Sequence, residues 1–166
     1  MSPFVAILMG SDSDLPVMKS TLDTLASFGV PYEVRISSAH RTPAATAEYV
    51  ADADQRGCAV FIAAAGLAAH LAGAVAAHTI KPVIGVPMEG GPLNGFDALL
   101  STVQMPGGIP VASVAIGKAG AKNAAYLATQ ILALQDSGLA QRLKDDRART
   151  AEQIAAKNQE LQASLK

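Results

Sequence analysis

The 166-residue chain has no tryptophan, a single cysteine and few aromatic residues, 4% in all. Each shortage removes a class of function. With Cys58 alone, no intrachain disulfide can form and no thiolate cluster can hold zinc. One unpaired thiol suits a reducing, cytoplasmic setting. The aromatic rings are too few to stack a series of bases. A net charge of −1 without a basic block gives no electrostatic footprint for nucleic acid. The amino terminus, MSPFVAILMG, has no basic region and only a very short apolar run, so it reads as a first strand and not as a signal peptide. The longest apolar run, CAVFIAAAGLAAHLAGAVAA (residues 58–77), matches a membrane span in length only. It contains His70 and Gly66 and Gly73, and most of its apolar residues are alanine. A strand followed by a small-residue helix is expected there, with no membrane partner.

What the chain does have is apolar segments in a regular order. Five read as strands: Phe4–Met9, Tyr32–Ser37, Ala59–Ala64, Pro82–Val86 and Val111–Ile116. Most are short continuous runs without alternation, as in strands of a parallel sheet buried on both faces. Helical patterns lie between them. Leu15, Met18, Leu22 and Leu25 share one face, and Gly29 and Pro31 end that helix. Further helices are expected over Pro43–Arg56, Gly66–His78, Asp97–Gln104 and Ala119–Gln135, the last with Ala124, Ala128, Ile131 and Leu132 on a stripe. Alternating strands and helices in right-handed crossovers give an α/β fold. The expected form is a three-layer αβα sandwich on a central parallel sheet, flavodoxin-like, as one domain over residues 1–135. Residues 136–166 carry many charges, yet Leu139, Leu143, Ile154, Leu161 and Leu165 recur at near-helical spacing. They predict one or two amphipathic helices that lie either on a neighbouring subunit or on their own domain.

In open parallel sheets, ligands bind beyond the carboxyl ends of the strands. The segment after the first strand, Gly10-Ser11-Asp12-Ser13-Asp14, opens a helix whose N–H groups favour an anion. It matches neither GxGxxG nor a P-loop, so dinucleotide and nucleoside-triphosphate readings fail on residues. Ser11 can hold a phosphate, and Asp14 can accept from a sugar hydroxyl. The structural alternative is a cap from Ser13 or Asp14. After the second strand comes SSAHRTP (residues 37–43). Thr42 as N-cap and Pro43 at the first helical position explain two of its residues. They leave Ser38, His40 and Arg41 unexplained. Arg41 offers a planar cationic fork for phosphate, and His40 a proton carrier that works near neutral pH. His70 sits on an apolar helix start, where a satisfied core histidine is common. His78 reads as a partner for a helix end, and Cys58 as core. No recognised spacing makes a metal site from these residues. The loops at Ala63–Gly66, Gly90-Gly91-Pro92 and Val103–Pro110 let backbone approach a ligand closely, although turn chemistry alone explains any single glycine.

The motifs MGSDSD (9–14), SAHRTP (38–43), AGLAAHLAG (65–73), GVP (85–87), VQMPGGIPVASVAIG (103–117) and AKNAA (121–125) together resemble the N5-carboxyaminoimidazole ribonucleotide mutase family over roughly residues 3–135. The resemblance implies an isomerase of purine biosynthesis. It would move a carboxylate from the exocyclic amine of an aminoimidazole ribonucleotide to ring carbon four, by loss and recapture of carbon dioxide. No metal, ATP or organic cofactor is implied. His40 matches the family's proton shuttle. Ser11, Asp14 and Arg41 match residues that bind the ribose phosphate. Gly10, Ser38, Ala39, Gly66, His70 and Leu71 match positions that line the site. A cytoplasmic homo-octamer with its C-terminal segment on neighbours is also implied. Three departures stand out: Leu67 replaces a glycine and Ala72 a proline of many relatives, and Glu89-Gly90-Gly91 stands where many have small polar residues.

Competing readings differ in specific residues. A direct aminoimidazole ribonucleotide carboxylase resembles GRSN near His70, where this chain has Ala68-Ala69-His70-Leu71. A signalling receiver needs an aspartate at the end of the third strand, where this chain has Ala63-Ala64-Ala65-Gly66. A dehalogenase-type phosphatase needs one directly after the first strand, where Gly10-Ser11 stands. A non-catalytic nucleotide-binding module has no use for His40.

Overall fold

The structure is a computed structural model and describes residues 3–165. Strand β1 (Phe4–Met9) is buried along its whole length, with two different faces. Val5, Ile7 and Met9 belong to one apolar cluster, and Phe4, Ala6 and Leu8 to another. The alternation required of any strand is therefore present, but both sides are covered and the run reads as continuously apolar. The other strands are β2 (Tyr32–Ile36), β3 (Cys58–Ala65), β4 (Val83–Pro87) and β5 (Ala112–Ser113). All pair in parallel in the order β2-β1-β3-β4-β5. That is the flavodoxin-like order, with its topological switch between β1 and β3.

Helices α1 (Leu15–Ser27) and α5 (Lys118–Ala133) cover one face, and α2 (Pro43–Gln55) and α3 (Leu71–Ala76) the other. Alanine is the reason α1 and α5 can lie close. Ala121, Ala124, Ala125 and Ala128 are fully buried, and the Thr21 hydroxyl donates to the Ala121 carbonyl at 2.7 Å. Helix α4 (Phe96–Val103) packs on β4 at Gly85, where an added Cβ would lie 2.3 Å from Thr102 Cγ2. Gly29 (φ +68°) and Gly57 (φ +95°) turn the chain out of α1 and α2, as the sequence indicates. Cys58 is buried, and burial pushes its thiol up to about 11.

Three expectations need correction. The helix expected over Gly66–His78 is only Leu71–Ala76. Leu67 takes a left-handed conformation (φ +54°), which breaks any helix begun at Gly66 and leaves His70 at the N-cap. The fifth strand has two ladder residues rather than six; it is an edge strand that touches β4 alone. Leu15 is exposed, while Met18 and Leu25 of the same face are buried.

The tail is one 28-residue helix, α6 (Ser137–Ser164), about 42 Å long. Its first turns dock on their own chain. Asp136 caps it by accepting from Leu139 N, Leu139 is buried, Arg142 donates to the Phe28 carbonyl, and Tyr126 donates to Asp146 at 2.7 Å. From Arg147 to Leu165 every residue is exposed, Ile154, Leu161 and Leu165 included. No helix among the described residues is long and apolar enough to cross a membrane.

Candidate active site

The loops that leave β1, β2, β3 and β4 meet at the carboxyl edge of the sheet around a cavity of about 570 Å³. Gly10 N–H donates to the Ala64 carbonyl at 3.0 Å and Met88 N–H to the Ala65 carbonyl at 2.9 Å. These two bonds hold the first, third and fourth loops together at the switch point. All ten site candidates line this one cavity. Gly10, Ser11 and Asp14 come from the first loop, and Ser38, Ala39, His40 and Arg41 from the second. Gly66, His70 and Leu71 come from the third.

In the first loop the expected caps are replaced by Ser11. Its hydroxyl accepts from Ser13 N–H at 3.2 Å and from the Ser13 hydroxyl at 2.9 Å, and caps the short 3-10 turn Asp12–Asp14. Asp14 makes no side-chain cap bond. Burial holds its carboxyl above the ordinary value, with the Asp12 charge adding and a hydrogen bond from the Ser11 backbone opposing. A half-buried carboxylate without a capping duty is a good acceptor for a ligand hydroxyl.

In the second loop, Arg41 N–H donates to the Ser38 hydroxyl at 3.1 Å, and Ser38 N–H donates to the Thr42 hydroxyl at 2.9 Å. Thr42 stands at the N-cap of α2 but makes no side-chain cap bond; its hydroxyl turns back and donates to the Ser38 carbonyl. The loop is thus stiffened by its own serine and threonine, which leaves the His40 and Arg41 side chains to project. Arg41 is exposed and joins no ion pair among the described residues.

His40 Nε2 lies 2.6 Å from His70 Nδ1, with the rings edge to face at 4.8 Å between centroids. One ring must donate and the other accept, so the bond admits at most one positive charge on the pair. His40 Nδ1 and His70 Nε2 remain open to a ligand. His70 is exposed rather than a core histidine. His78 does bond a helix carbonyl, Ala74, at 2.8 Å.

In the loop after β4 only Gly90-Gly91-Pro92 drew a role from the sequence, close backbone approach to a ligand, and Met88 and Glu89 drew none. Met88, Glu89, Gly90 and Gly91 line the cavity, as do Ser13, Ala65, Leu67 and Ala68. Two of the departures from the family pattern, Leu67 and Glu89-Gly90-Gly91, meet here. A Cβ added at Gly91 (φ +65°) would lie 2.5 Å from Leu67 Cδ2. The glycine-rich segment before β5 does not reach the cavity. Gly108, Ile109 and Pro110 line a separate depression with Ile80 and Lys81, because this segment arrives at the amino-terminal edge of the sheet. A larger groove of about 690 Å³ also lies away from the loops, and its arginine, Arg142, is occupied by Phe28. No group of three His, Cys, Asp or Glu among the described residues is placed to hold a metal ion.

Fold and cavity together define an α/β protein of flavodoxin-like topology with a histidine pair, a guanidinium and an anion-favouring loop at its switch point. Residues 4–153 match the family model described as AIR carboxylase, and the chain belongs to that family. It is 52% identical to the N5-carboxyaminoimidazole ribonucleotide mutase of Bacillus subtilis, over 97% of this chain and 99% of that one. It is 51% identical to the protein of the same name from Thermotoga maritima, over 96% and 92%. A Treponema denticola protein, PurE2-S38D, is similar in structure, with TM-score 0.89 at 31% identity over 97% and 99% of the two chains.

Proposed function

We propose that the chain is an N5-carboxyaminoimidazole ribonucleotide mutase of purine biosynthesis. The carrying observation is the near full-length identity of about half to relatives of that name, joined to a histidine pair in the one cavity that gathers every candidate residue. The ribose phosphate sits against the first loop, with Ser11, Asp14 and Arg41 as its polar partners. Gly10, Ser38, Ala39, Gly66, His70 and Leu71 shape the rest of the site. The N–CO2 bond of the substrate breaks and its electron pair returns to nitrogen. Ring carbon four attacks the released carbon dioxide and forms a new C–C bond. The proton lost from carbon four ends on the exocyclic amine, and His40 carries it. His70, bonded to His40, sets which nitrogen of His40 faces the ring.

Atoms and charge balance within one substrate, so the reaction consumes no ATP or other co-reactant, and its intermediates are carbon dioxide and the aminoimidazole ribonucleotide; the reading assigns no metal or organic cofactor. The reading extends to a cytoplasmic homo-octamer. Phe96, Leu100, Ile36 and Ile154 are large apolar side chains exposed in the single chain, which supports burial against further copies.

The test is to mix protein with the N-carboxylated ribonucleotide, EDTA present and ATP absent, and follow the ring-carboxylated product by carbon NMR. Product above the uncatalysed background is expected. Turnover only with aminoimidazole ribonucleotide and bicarbonate assigns the chain to direct carboxylation instead. Silence in both leaves a binding module.

A further inference from the structure

The cavity wall is unevenly dry. Its polar side chains come from Ser11, Ser13, Asp14, Ser38, Arg41 and Glu89, together with the pair His40 and His70. Of its large apolar side chains, Leu71 is 1% exposed and Met88 4% exposed, so neither presents much surface to a ligand. Leu67 is 54% exposed. It is the one large apolar side chain that the lining offers to whatever occupies the cavity.

Two backbone features put it there. Leu67 holds φ +54°, a conformation that disfavours any residue with a Cβ. Glycine at this position would be free of that strain. Gly91, across the cavity mouth on the next loop, has no side chain and φ +65°, and its open side receives the Leu67 tip. A strained residue that persists, with a matching vacancy opposite, directs attention to what the side chain does.

We infer that Leu67 is a specificity-determining residue: propped on Gly91, its side chain forms the dry wall that keeps carbon dioxide in the cavity between release and recapture. The inference rests on the mutase reading. Carbon dioxide is apolar and weakly held, so its fate depends on the relative rates of attack by ring carbon four and of escape past the wall. An apolar side chain at the mouth slows escape and excludes the water that would stabilise the carboxylate against cleavage. Removing it opens the exit without touching His40, His70 or the phosphate-binding residues.

The experiment uses substrate labelled with carbon-13 in its carboxylate, in buffer with unlabelled bicarbonate and added carbonic anhydrase. Escaped label is then diluted before it can return. Label retained in the ring-carboxylated product is divided by label lost, a ratio independent of how much enzyme is folded. The parent chain is expected to retain most label. Leu67→Gly is expected to shift the ratio toward loss by about tenfold, the scale set by one leucine side chain. Leu67→Met, which restores an apolar wall, is expected to return the ratio toward the parent. An unchanged ratio in Leu67→Gly, with parent-like turnover, overturns the role of Leu67 and leaves the mutase reading standing. A parent chain that forms no product from the labelled substrate refutes the mutase reading and the inference with it.

Discussion

The contact between Leu67 and Gly91 can be tested by stability alone, without substrate. Alanine at Gly91 must hold φ +65°, which costs about 1–2 kcal/mol for a residue with a Cβ. Its Cβ would also lie 2.5 Å from Leu67 Cδ2. That atom is the tip of a rotatable side chain, so Leu67 moves off its rotamer at roughly 0.5–1.5 kcal/mol and the loop stays in place. Leu67→Gly relieves about 1–2 kcal/mol of backbone strain. It gives back about 0.5–1 kcal/mol through the added freedom of the unfolded chain. It also forfeits about 1 kcal/mol from the half of the side chain that is buried. Leu67→Gly is therefore near neutral, and Gly91→Ala costs about 2 kcal/mol net of its own entropy gain. In the double variant the collision is gone. The cycle should show a coupling of about 1 kcal/mol, or roughly 2–4 °C in melting temperature for a chain of this length. The assay is thermal or urea unfolding of the four proteins at one fixed concentration. Additivity to within about 0.3–0.5 kcal/mol would refute the contact and the account of why Leu67 stands where it does.

Four further outcomes are expected. His40→Asn should abolish turnover but keep ribonucleotide binding by calorimetry; normal turnover removes His40 from the mechanism. Gly120→Ala places a Cβ 1.6 Å from the Ala115 carbonyl oxygen, a backbone atom that cannot step aside, and should lose about 3 kcal/mol or more in urea unfolding. Because burial raises the Asp14 carboxyl, the unfolded chain releases that proton first, and stability falls as pH rises through the carboxylate range. Asp14→Asn should melt above the parent at neutral pH, and the gap should close by about pH 3; a gap independent of pH refutes the assignment. The Asp146 carboxyl is held below its ordinary value first by the Tyr126 hydrogen bond and then by Arg149, while burial first and Asp146 second push Tyr126 up to about 12. Tyr126→Phe should raise Asp146 toward the ordinary carboxylate range in a carbon NMR titration and loosen α6 from α5.

The edge strand β2, which has no buried residue, and helices α1, α2 and α5 were legible from residue patterning and the glycine and proline between them. Strands β1, β3 and β4 were legible because burial on both faces writes itself as continuous apolar runs. The overlong β5 has the same cause seen from the edge. Val114 N–H still reaches the Gly85 carbonyl and Gly117 N–H the Pro87 carbonyl, so the apolar run does follow β4, but outside a regular ladder. The false start of α3 came from Leu67. Leucine is a strong helix former, and nothing local to it announces a left-handed backbone. Ser11, Asp14, Ser38, His40 and Arg41 stood out by one rule, that ligands gather beyond the carboxyl ends of parallel strands, while Gly10, Ala39, Gly66, His70 and Leu71 entered only through the family resemblance. That rule gives membership but no distances. The bond between His40 and His70 spans 30 positions and depends on how β2 and β3 flank β1, so it could not be read from either loop.

The distribution of strain argues for a division of labour in the fold. Helix α5 packs through Gly120, where an added Cβ would lie 1.6 Å from the Ala115 carbonyl oxygen, and through the fully buried Ala121, Ala124 and Ala128. The only described non-glycine residues with positive φ, Leu67 and Asn94, lie in the loops after β3 and β4. Those loops make up much of the cavity wall. At Leu67 the backbone strain is offset by partial burial of the side chain and by the smaller entropy of the unfolded chain, so leucine stands there at little net cost in stability. A side chain at Gly91 is disfavoured twice, by its φ of +65° and by the Leu67 tip that occupies its open side. A side chain gained at 91 is therefore less costly once the bulk at 67 is removed.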